Sequence, residues 1–344
     1  MIKIHFNTKQ YAEKLINWQK RHGRNNLPWQ ASLDPYSVWI SEIMLQQTQV
    51  KTVIPYYNKF ISRFPNIQTL ADANEDEILK YWAGLGYYAR ARNLHKTAKI
   101  IAFNLNCVFP NTFENIISLP GIGKSTANAI LSICYGQAAP ILDGNVKRIF
   151  SRLFTINNPN SSKSIENMLW DISNNLMPKT ETNVYTQSLM DLGSLICTRT
   201  KPNCTMCPIN IFCLAYKDGT VNSYPVPKIK KIKPQRSTTF YIYKTSDKIL
   251  LIKNQPEGIW GGLYSLPEIS TLQENMKETK IILKEQRHIF THFILYFDVM
   301  LISVKNQQDI APQEKLVWVP LNKVDQYPMP TPIRKTFQYY VDHI

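Results

Sequence analysis

The nine residues S-L-P-G-I-G-K-S-T at positions 118–126 decide how the first half of the chain is interpreted. Their last four letters, G-K-S-T, match the end of a nucleotide-binding P-loop. That motif needs a glycine five positions before its Gly-Lys pair, so that backbone N–H groups surround the phosphates. Ser118 occupies that position, and Pro120 removes one backbone donor. The stretch therefore argues against a P-loop and predicts a tight turn between two helices.

The character of the sequence changes on either side of residues 218–236. With 344 residues, the chain is long enough for two domains. Residues 1–217 have apolar positions at helical spacing, and residues 237–344 contain short alternating stretches that predict strands at 238–245, 248–254, 292–304 and 315–321. The Pro-containing basic stretch at 218–236 predicts a linker. We therefore expect an all-α domain, a linker and a smaller α+β domain.

One amphipathic helix illustrates the pattern in the first domain. Five apolar residues follow one another at helical spacing behind Asp143, a suitable N-cap: Val146, Ile149, Phe150, Leu153 and Phe154. The N-terminus has no apolar signal segment, and no apolar run is long enough to span a membrane. We therefore expect a soluble, cytoplasmic protein without a membrane partner.

The formal net charge of +15 is unevenly distributed. Residues 1–227 carry 23 basic against 14 acidic side chains, and residues 228–236 carry five basic and no acidic side chains. Neutralising the phosphates of a polyanion releases condensed counterions and supplies affinity without sequence preference. A basic surface that only aids solubility is the alternative. Charge therefore suggests nucleic acid as a partner without establishing it.

Four of the six cysteines lie in one short segment: Cys197-x6-Cys204-x2-Cys207-x5-Cys213. In a chain without a secretory signal, such spacing favours metal ligation over disulfides. Thiolate chemistry alone allows either zinc or an iron–sulfur cluster. Cys107 and Cys134 stand among apolar residues, so we expect both to be packed core thiols.

The cysteine spacing and the L-P-G-I-G turn together resemble the endonuclease III family of DNA glycosylases. This resemblance implies a helix-hairpin-helix domain with one [4Fe–4S] cluster on Cys197, Cys204, Cys207 and Cys213. Such a cluster could be a redox centre or a structural clamp, and the absence of a second redox group in the sequence favours the clamp. It also implies that the hairpin binds a DNA phosphate through Gly121, Gly123, Lys124 and Ser125. Glycines suit this role because they permit a tight turn and a close backbone approach.

Within that family, four further motifs resemble the adenine-specific branch: W-I-S-E-I-M-L-Q-Q-T-Q-V at 39–50, G-L-G-Y-Y-A-R-A-R-N-L-H at 84–95, I-L-D-G-N-V-K-R at 141–148 and M-D-L-G-S-L-I-C-T-R at 190–199. The resemblance extends through about residues 8–215. Ser125 stands where lyases of the family carry their Schiff-base lysine. The resemblance therefore implies a monofunctional enzyme that releases adenine opposite 8-oxoguanine or guanine and leaves the strand intact.

Glu42 and Asp143 are the candidate catalytic carboxyls. Glu42 lies on a largely apolar helix, which should raise its pKa and let it act as a general acid. The resemblance implies that Asp143, at a helix N-terminus that favours its charged form, stabilises the oxocarbenium ion or attacks it transiently. It also implies that Asn145 orients this aspartate or the sugar. The resemblance implies further contacts, to the DNA from Tyr87, Gln47 and Leu85, and to the flipped adenine from Trp29, Gln187 and Asp191.

Residues 237–344 resemble a Nudix-like domain. Gly262-x5-Glu268 begins the Nudix box, but Met276-Lys277 and Lys280-Ile281 stand where its later arginine and glutamates belong. Without clustered carboxylates we expect no Mg²⁺ site and no hydrolysis. The resemblance implies instead that the loop Phe290-Thr291-His292 contacts 8-oxoguanine, with Thr291 replacing the family's serine. A structural hydrogen bond is the alternative role for His292.

Two other functions remain open at this point. One is an endonuclease III-like glycosylase and lyase acting on oxidised pyrimidines, which Ser125 and Glu42 disfavour. The other is a non-catalytic iron–sulfur protein that binds DNA or senses redox state. For the leading interpretation we expect a monomer whose partner is double-stranded DNA with an adenine mispair.

Overall fold

The computed structural model describes residues 4–157, 162–226, 232–268, 279–310 and 315–343. Its α-helices are α1 Thr8–His22, α2 Pro35–Leu45, α3 Val50–Arg63, α4 Ile67–Asp72, α5 Glu75–Trp82, α6 Ala89–Asn104, α7 Phe113–Ile117, α8 Lys124–Tyr135, α9 Gly144–Leu153, α10 Lys163–Leu176, α11 Thr182–Asp191, α12 Leu214–Lys217 and α13 Thr331–His343. Its strands are β1 Gln235–Lys244, β2 Lys248–Lys253, β3 Tyr264–Ser265, β4 Thr279–Ile289, β5 Ile294–Ser303 and β6 Leu316–Pro320. No helix in these ranges is long and apolar enough to cross a membrane.

The chain forms two compact units, and each is built from two separate stretches. The first unit combines Met1–Gln68 with Lys96–Ile229, and the second combines Thr69–His95 with Lys230–Ile344. The sequence did not indicate this exchange, because residues 69–95 have the same helical pattern as their neighbours. The stretch that carries Leu85 and Tyr87 is therefore part of the same compact unit as the strands.

One core cluster of the first unit is formed mainly by helices α1, α9, α10 and α11, and α2, α3 and α8 contribute further buried residues to the unit. The predicted stripe of α9 is confirmed, because all five of its apolar residues are buried in this core. Asp143 caps the helix, with its Oδ1 accepting a hydrogen bond of 2.8 Å from the backbone N–H of Val146. Three of the four clustered cysteines pack against the same core, which ties their loop to α9: Cys197, Cys207 and Cys213.

The predicted turn between two helices joins α7 to α8. Gly121 has a φ of +79°, a left-handed conformation that glycine adopts without a Cβ clash. The hydroxyl of Thr97 on α6 donates to the carbonyl of Pro120 at 2.9 Å, which holds the turn in place.

The second unit contains a mixed sheet with strand order β3-β2-β1-β5-β4, and β6 pairs with β2. Strands β1 and β5 are parallel, with Gln235 beside Ile294, and the remaining pairs are antiparallel. Helix α13 packs on one face, where Ile333, Phe337 and Tyr340 are buried with residues of the sheet. This architecture agrees with the expected α+β domain.

All four predicted strands are present, but two further strands were missed. Strand β4 lies at an edge of the sheet and contains register shifts at Ile281/Leu283 and Leu283/Gln286. Edge strands tolerate charged residues and bulges, so β4 lacks the alternation that marks a half-buried strand. Strand β3 has only two residues, too few to show a period.

The prediction that Cys107 is a packed core thiol is wrong. Cys107 is exposed, with a φ of +61°, in the turn that follows α6, and its thiol lies 3.2 Å from the side-chain oxygen of Gln68. The chain leaves its helix just before Cys107, so the apolar neighbours in sequence do not surround the thiol. Cys134, on α8, is partly buried.

Candidate active site

A cavity of about 1240 Å³ opens in the first unit among α2, α8, α9 and α11. Seven of the residues that the sequence suggested for the site line it: Trp29, Glu42, Gln47, Ser125, Asp143, Asn145 and Gln187. Eight other suggested residues of this unit do not: the four cysteines at 197, 204, 207 and 213, and Gly121, Gly123, Lys124 and Asp191. The cavity therefore brings together the two carboxyls that sequence reasoning selected, although they are about 100 positions apart in the chain.

Glu42 projects from α2, a helix whose residues are mostly buried. Asp34 caps the helix and Pro35 starts it, which fixes where Glu42 falls on its surface. Burial raises the pKa of Glu42 to about 7, and the charge of Asp143 contributes in the same direction. Glu42 can therefore hold a proton near neutral pH, as a general acid requires.

Asp143 has a different environment. Burial raises its pKa above the ordinary value, whereas the N–H groups of Val146 and Asn145 and the charge of Arg148 oppose this increase. Sequence reasoning considered only the helix N-terminus and missed the effect of burial. The donors around Asp143 nevertheless stabilise its anion, and Glu42 has no such donor among the hydrogen bonds of the described residues. The two carboxyls are thus differentiated by hydrogen bonding.

Arg148 is a site residue that sequence reasoning missed. Its Nη2 donates to Asn145 Oδ1 at 2.8 Å and to the Gly193 carbonyl at 2.7 Å, and its Nε donates to the Cys197 carbonyl at 2.9 Å. Asn145 in turn lies 3.4 Å from Asp143 Oδ2. The available signal was that Arg148 stands three positions after Asn145, on the same helix face.

Gly193 leaves the space that the Asn145 side chain occupies. An added Cβ at Gly193 would approach the Asn145 Cβ to 2.5 Å, closer than real contacts allow. Any side chain there would displace Asn145, which is the side-chain partner of Asp143. The glycine in D-L-G-S therefore has a packing function beside the cavity.

Ser125 lies at the start of α8 and faces the cavity. Its hydroxyl oxygen accepts a hydrogen bond of 3.1 Å from the backbone N–H of Leu142, the residue before Asp143. Lys124, one position earlier, packs its ammonium 4.0 Å from the ring centroid of Trp170. A serine hydroxyl therefore occupies the cavity wall, and the adjacent lysine amine lies outside it.

Gly123 is the N-cap of α8 and provides no side-chain cap for the first N–H groups of the helix. A Cβ added at Gly123 would meet no atom within 4 Å, so packing inside the protein does not require glycine there. An exposed helix N-terminus with open space beside it suits an anion.

Asp191 is fully buried behind the cavity. Its carboxylate accepts hydrogen bonds from Arg24 Nε at 2.9 Å and from Gln187 Nε2 at 3.0 Å. Arg24 and Gln187 both line the cavity, and Arg24 was not predicted. Asp191 therefore acts on the cavity indirectly, by fixing the side chains of Arg24 and Gln187. Trp29 lies in the cavity wall with its ring 5.3 Å from that of Tyr57.

None of the four clustered cysteines forms a disulfide, and their loop provides hydrogen-bond acceptors to a buried cation. Burial raises the pKa of the Cys204, Cys207 and Cys213 thiols, and the nearby Cys197 raises them further, so the four sulfurs are electrostatic neighbours. In the described ranges, no three His, Cys, Asp or Glu side chains are arranged to hold one metal ion.

Arg152 is the cation beside these thiols. It is 2% exposed, and its Nη1 lies 3.3 Å from Cys197 Sγ. Its other described acceptors are neutral backbone carbonyls, including those of Thr198 and Tyr224. A buried guanidinium needs a compensating anion. Thiolate ligands at this position would provide one, so the donor set fits an anionic thiolate-bound centre.

In the second unit, Tyr87 is held in an unusual conformation. Its φ is +51° and its side chain is 44% exposed, with Gly84 at +107° and Gly86 at +73° before it. Arg90 lies 5.5 Å from the centroid of the Tyr87 ring. Leu85, by contrast, is 7% exposed. The segment thus presents one aromatic side chain and buries its aliphatic neighbour.

The loop Phe290-Thr291-His292 connects β4 to β5. Thr291 and His292 are exposed, and the Phe290 ring stacks on Phe293 at 4.5 Å. Lys233 donates to the Phe290 carbonyl at 2.6 Å, which fixes the base of the loop. His292 lies outside the strands, with its ring 4.9 Å from that of Phe293. Met276 and Lys277, which concern the Nudix box, lie outside the described residues.

Comparison with known proteins identifies the class that this fold and cavity define. The family model for the HhH-GPD superfamily base excision DNA repair protein matches residues 40–175, and the model for the NUDIX domain matches residues 238–339. A solved structure of a thermostable thymine-DNA glycosylase is similar, with a TM-score of 0.56 and 26% identity, covering 61% of this chain and 97% of the solved chain.

Sequence relatives identify the family within that class. An adenine DNA glycosylase from Buchnera aphidicola subsp. Baizongia pistaciae is 43% identical over 338 residues, covering 95% of this chain and 96% of the relative. An adenine DNA glycosylase from Buchnera aphidicola subsp. Acyrthosiphon pisum is 40% identical, covering 97% of this chain and 98% of the relative. The chain therefore belongs to the adenine DNA glycosylase family.

Proposed function

We propose that the protein is a monofunctional adenine DNA glycosylase of base excision repair, which hydrolyses the N-glycosidic bond of adenine paired with 8-oxoguanine or guanine. The observation that carries this proposal is the pairing of Glu42 and Asp143 in one cavity whose wall contributes a serine, Ser125, at the position of a lyase lysine. Two carboxyls with different proton affinities suit a reaction that builds charge of opposite sign on sugar and base.

Glu42 donates its proton to a ring nitrogen of the leaving adenine, because burial keeps this carboxyl protonated near neutral pH. Asp143, whose anion accepts from the Val146 N–H and lies beside Asn145, stabilises the positive charge that develops on the sugar. Ionised Glu42 then takes a proton from the attacking water. The Ser125 hydroxyl cannot form a Schiff base, so the strand stays intact.

The adenine must leave the duplex to enter the cavity, because the bond is inaccessible inside the stack. Trp29 and Gln187 both line the cavity, and Asp191 holds the Gln187 amide, which suits recognition of the flipped base. Tyr87 fills the vacated space, with Gln47 and Leu85 as neighbours of the lesion. The hairpin residues Gly121, Gly123, Lys124 and Ser125 are the proposed DNA backbone contacts, supported by the open space at Gly123.

We assign the four cysteines to one [4Fe–4S] cluster. The buried Arg152, whose Nη1 lies 3.3 Å from Cys197 Sγ, supports an anionic thiolate centre in this loop, and the choice of a cluster over zinc rests on the Cys-x6-Cys-x2-Cys-x5-Cys spacing. Cys197, Cys204, Cys207 and Cys213 would hold such a cluster through their thiolates. A bound cluster would clamp the loop 197–213, which Arg152 and Arg148 connect to α9 through the carbonyls of Thr198 and Cys197.

The chain divides by function into two domains and a linker. We propose a glycosylase domain at 1–217, a linker at 218–236 and a lesion-recognition domain at 237–344 that reads 8-oxoguanine through Phe290, Thr291 and His292. The protein acts as a monomer on double-stranded DNA, in the cytoplasm. Exposure of Thr291 and His292 on a loop whose base is fixed supports the recognition role.

The test uses duplexes with adenine opposite 8-oxoguanine. Wild-type protein should produce strand breaks only after heat and alkali, whereas a lyase would produce breaks directly. Glu42→Gln should lose adenine release by a factor of about 10² or more, the usual contribution of a general acid. Glu114→Gln, the same change at an exposed glutamate, is the matched control. Absence of adenine release by the wild type, or unchanged release by Glu42→Gln, would refute the proposal.

A further inference from the structure

A polar connection joins helix α5 to the sheet inside the second unit. The Asp76 carboxylate on α5 lies 2.8 Å from the Lys253 ammonium on β2, and it accepts a hydrogen bond of 2.9 Å from the Tyr264 hydroxyl on β3. Asp76 is 34% exposed and Lys253 is 42% exposed. One carboxylate thus binds two neighbouring strands at once.

A second connection lies close by. Arg92, at the start of α6, donates from Nη1 to the carbonyl of Gly261. Gly262 follows with a φ of +78°, and a Cβ there would lie 3.2 Å from Leu79 Cδ1 and 3.7 Å from Arg92 Nη1. The loop before β3 therefore packs closely against Leu79 on α5 and Arg92 on α6.

Those same residues carry the strained turn of Tyr87. The carbonyl of Gly86 accepts from Trp82 Nε1 at 3.2 Å and from Arg90 Nη2 at 3.1 Å, so the end of α5 and the start of α6 both hold the turn. A non-glycine residue with positive φ persists only where its surroundings impose it. A shift of α5 would therefore move or release Tyr87.

On the other side, the sheet connects Lys253 to the loop at residues 290–292. Strand β2 pairs with β1, and β1 pairs along its whole length with β5, which begins directly after that loop. A paired sheet is a stiff element. Contacts made by the loop can thus be transmitted to β2 and β3, and from there to Asp76.

We propose that Asp76 is a positioning residue that couples the Nudix-like domain to the Tyr87 turn, so that reading the base opposite adenine determines how Tyr87 is placed. The inference rests on the proposed reading of 8-oxoguanine by the second domain. Such coupling requires that the loop at residues 290–292 has a higher affinity for 8-oxoguanine when Tyr87 is correctly placed than when it is not.

The test compares single-turnover rates on duplexes with adenine opposite 8-oxoguanine and opposite guanine. Asp76→Asn and Lys253→Met should each lower the first rate about tenfold, within the usual range of coupling between sites, and leave the second nearly unchanged. The double variant should be no worse than either single variant, because both remove the same link. Tyr264→Phe, which removes only a hydroxyl, should change the ratio in the same direction. Lys248→Met, at the other end of β2, is the matched control.

A second measurement follows Tyr87 itself. The fluorescence of 2-aminopurine next to the lesion should respond to binding of the wild type, and the response should shrink in Asp76→Asn only opposite 8-oxoguanine. Equal losses on both duplexes, or unchanged rates in the three single variants at Asp76, Lys253 and Tyr264, would overturn the inference. Its failure differs from failure of the proposed function, in which the wild type itself would release no adenine or would fail to distinguish the two duplexes.

Discussion

Glu42 and Asp143 line the same cavity but differ in the groups around their carboxyls. Both are desolvated, which raises the pKa of each, but Asp143 also receives N–H donors from α9. The raised pKa of Glu42 was predictable from the sequence because Glu42 lies on a largely apolar helix. The sequence did not predict the desolvation of Asp143, since that depends on elements distant in the chain.

The pH dependence of catalysis should follow Glu42. With its pKa near 7, the protonated fraction of Glu42 falls about tenfold per pH unit in more alkaline solution, and the single-turnover rate should fall with it. The folded-state pKa lies above the ordinary value of 4.5, so Glu42 contributes stability below that value and loses it as the pH rises through about 7. Chemical denaturation across this range should show the loss, and Glu42→Gln should reduce it. A rate that is independent of pH above 7 would contradict the assignment.

Asp143 combines a structural and a chemical role, and two substitutions separate them. Asparagine is as good an N-cap as aspartate, so Asp143→Asn should leave the free energy of unfolding nearly unchanged. Alanine cannot cap, so Asp143→Ala should lower it by about 1 kcal/mol. Both should reduce adenine release by a factor of about 10² or more, because the stabilising charge is lost. Denaturant titration and single-turnover assays measure the two effects, and substantial activity in Asp143→Asn would contradict a role for the charge.

At the scale of single elements, α9 and β5 were predictable and β4 was not. Helix α9 buries one continuous stripe, and β5 alternates between buried and partly buried residues along most of its length, so each has a clear period. Strand β4 is an edge strand with bulges, which removes the period. Arg24 escaped detection for a related reason, because its partner Asp191 comes from another element, and the contact of Arg148 with Cys197 was hidden in the same way.

Helix α8 allows a test of the hairpin, since it has a glycine at each end. Gly123→Ala should cost only about 0.5 kcal/mol of stability, because the Cβ meets open space and only N-cap preference changes. It should weaken DNA binding about tenfold, because the methyl group obstructs a charge-assisted hydrogen bond to phosphate. The matched control is Gly136→Ala, at a φ of +63°, which should cost about 1 kcal/mol through strain and leave DNA binding unchanged. Equal DNA affinity of both variants would exclude Gly123 as a contact.

At the scale of the molecule, the sequence located a change from helices to strands but not which segments pack together. The stretch 69–95 forms part of the second unit through contacts such as Asp76 with Lys253. An aspartate and a lysine separated by 177 positions have no signature in a single sequence. The composition of the two units therefore required the structure.

Charge distribution leads to a last prediction, about salt. The net charge of +15 is concentrated before residue 237, including Lys230 and Lys231, which lie outside the described residues. Each neutralised phosphate adds about 0.9 to the slope of log K against log salt concentration. Lys230→Gln with Lys231→Gln should therefore reduce the slope by about 2, for matched and mispaired DNA alike. Lys315→Gln with Lys323→Gln, which removes the same charge from the nearly balanced C-terminal part, should leave it unchanged. If both pairs reduced the slope equally, the affinity would depend on total charge rather than on the position of the basic segment.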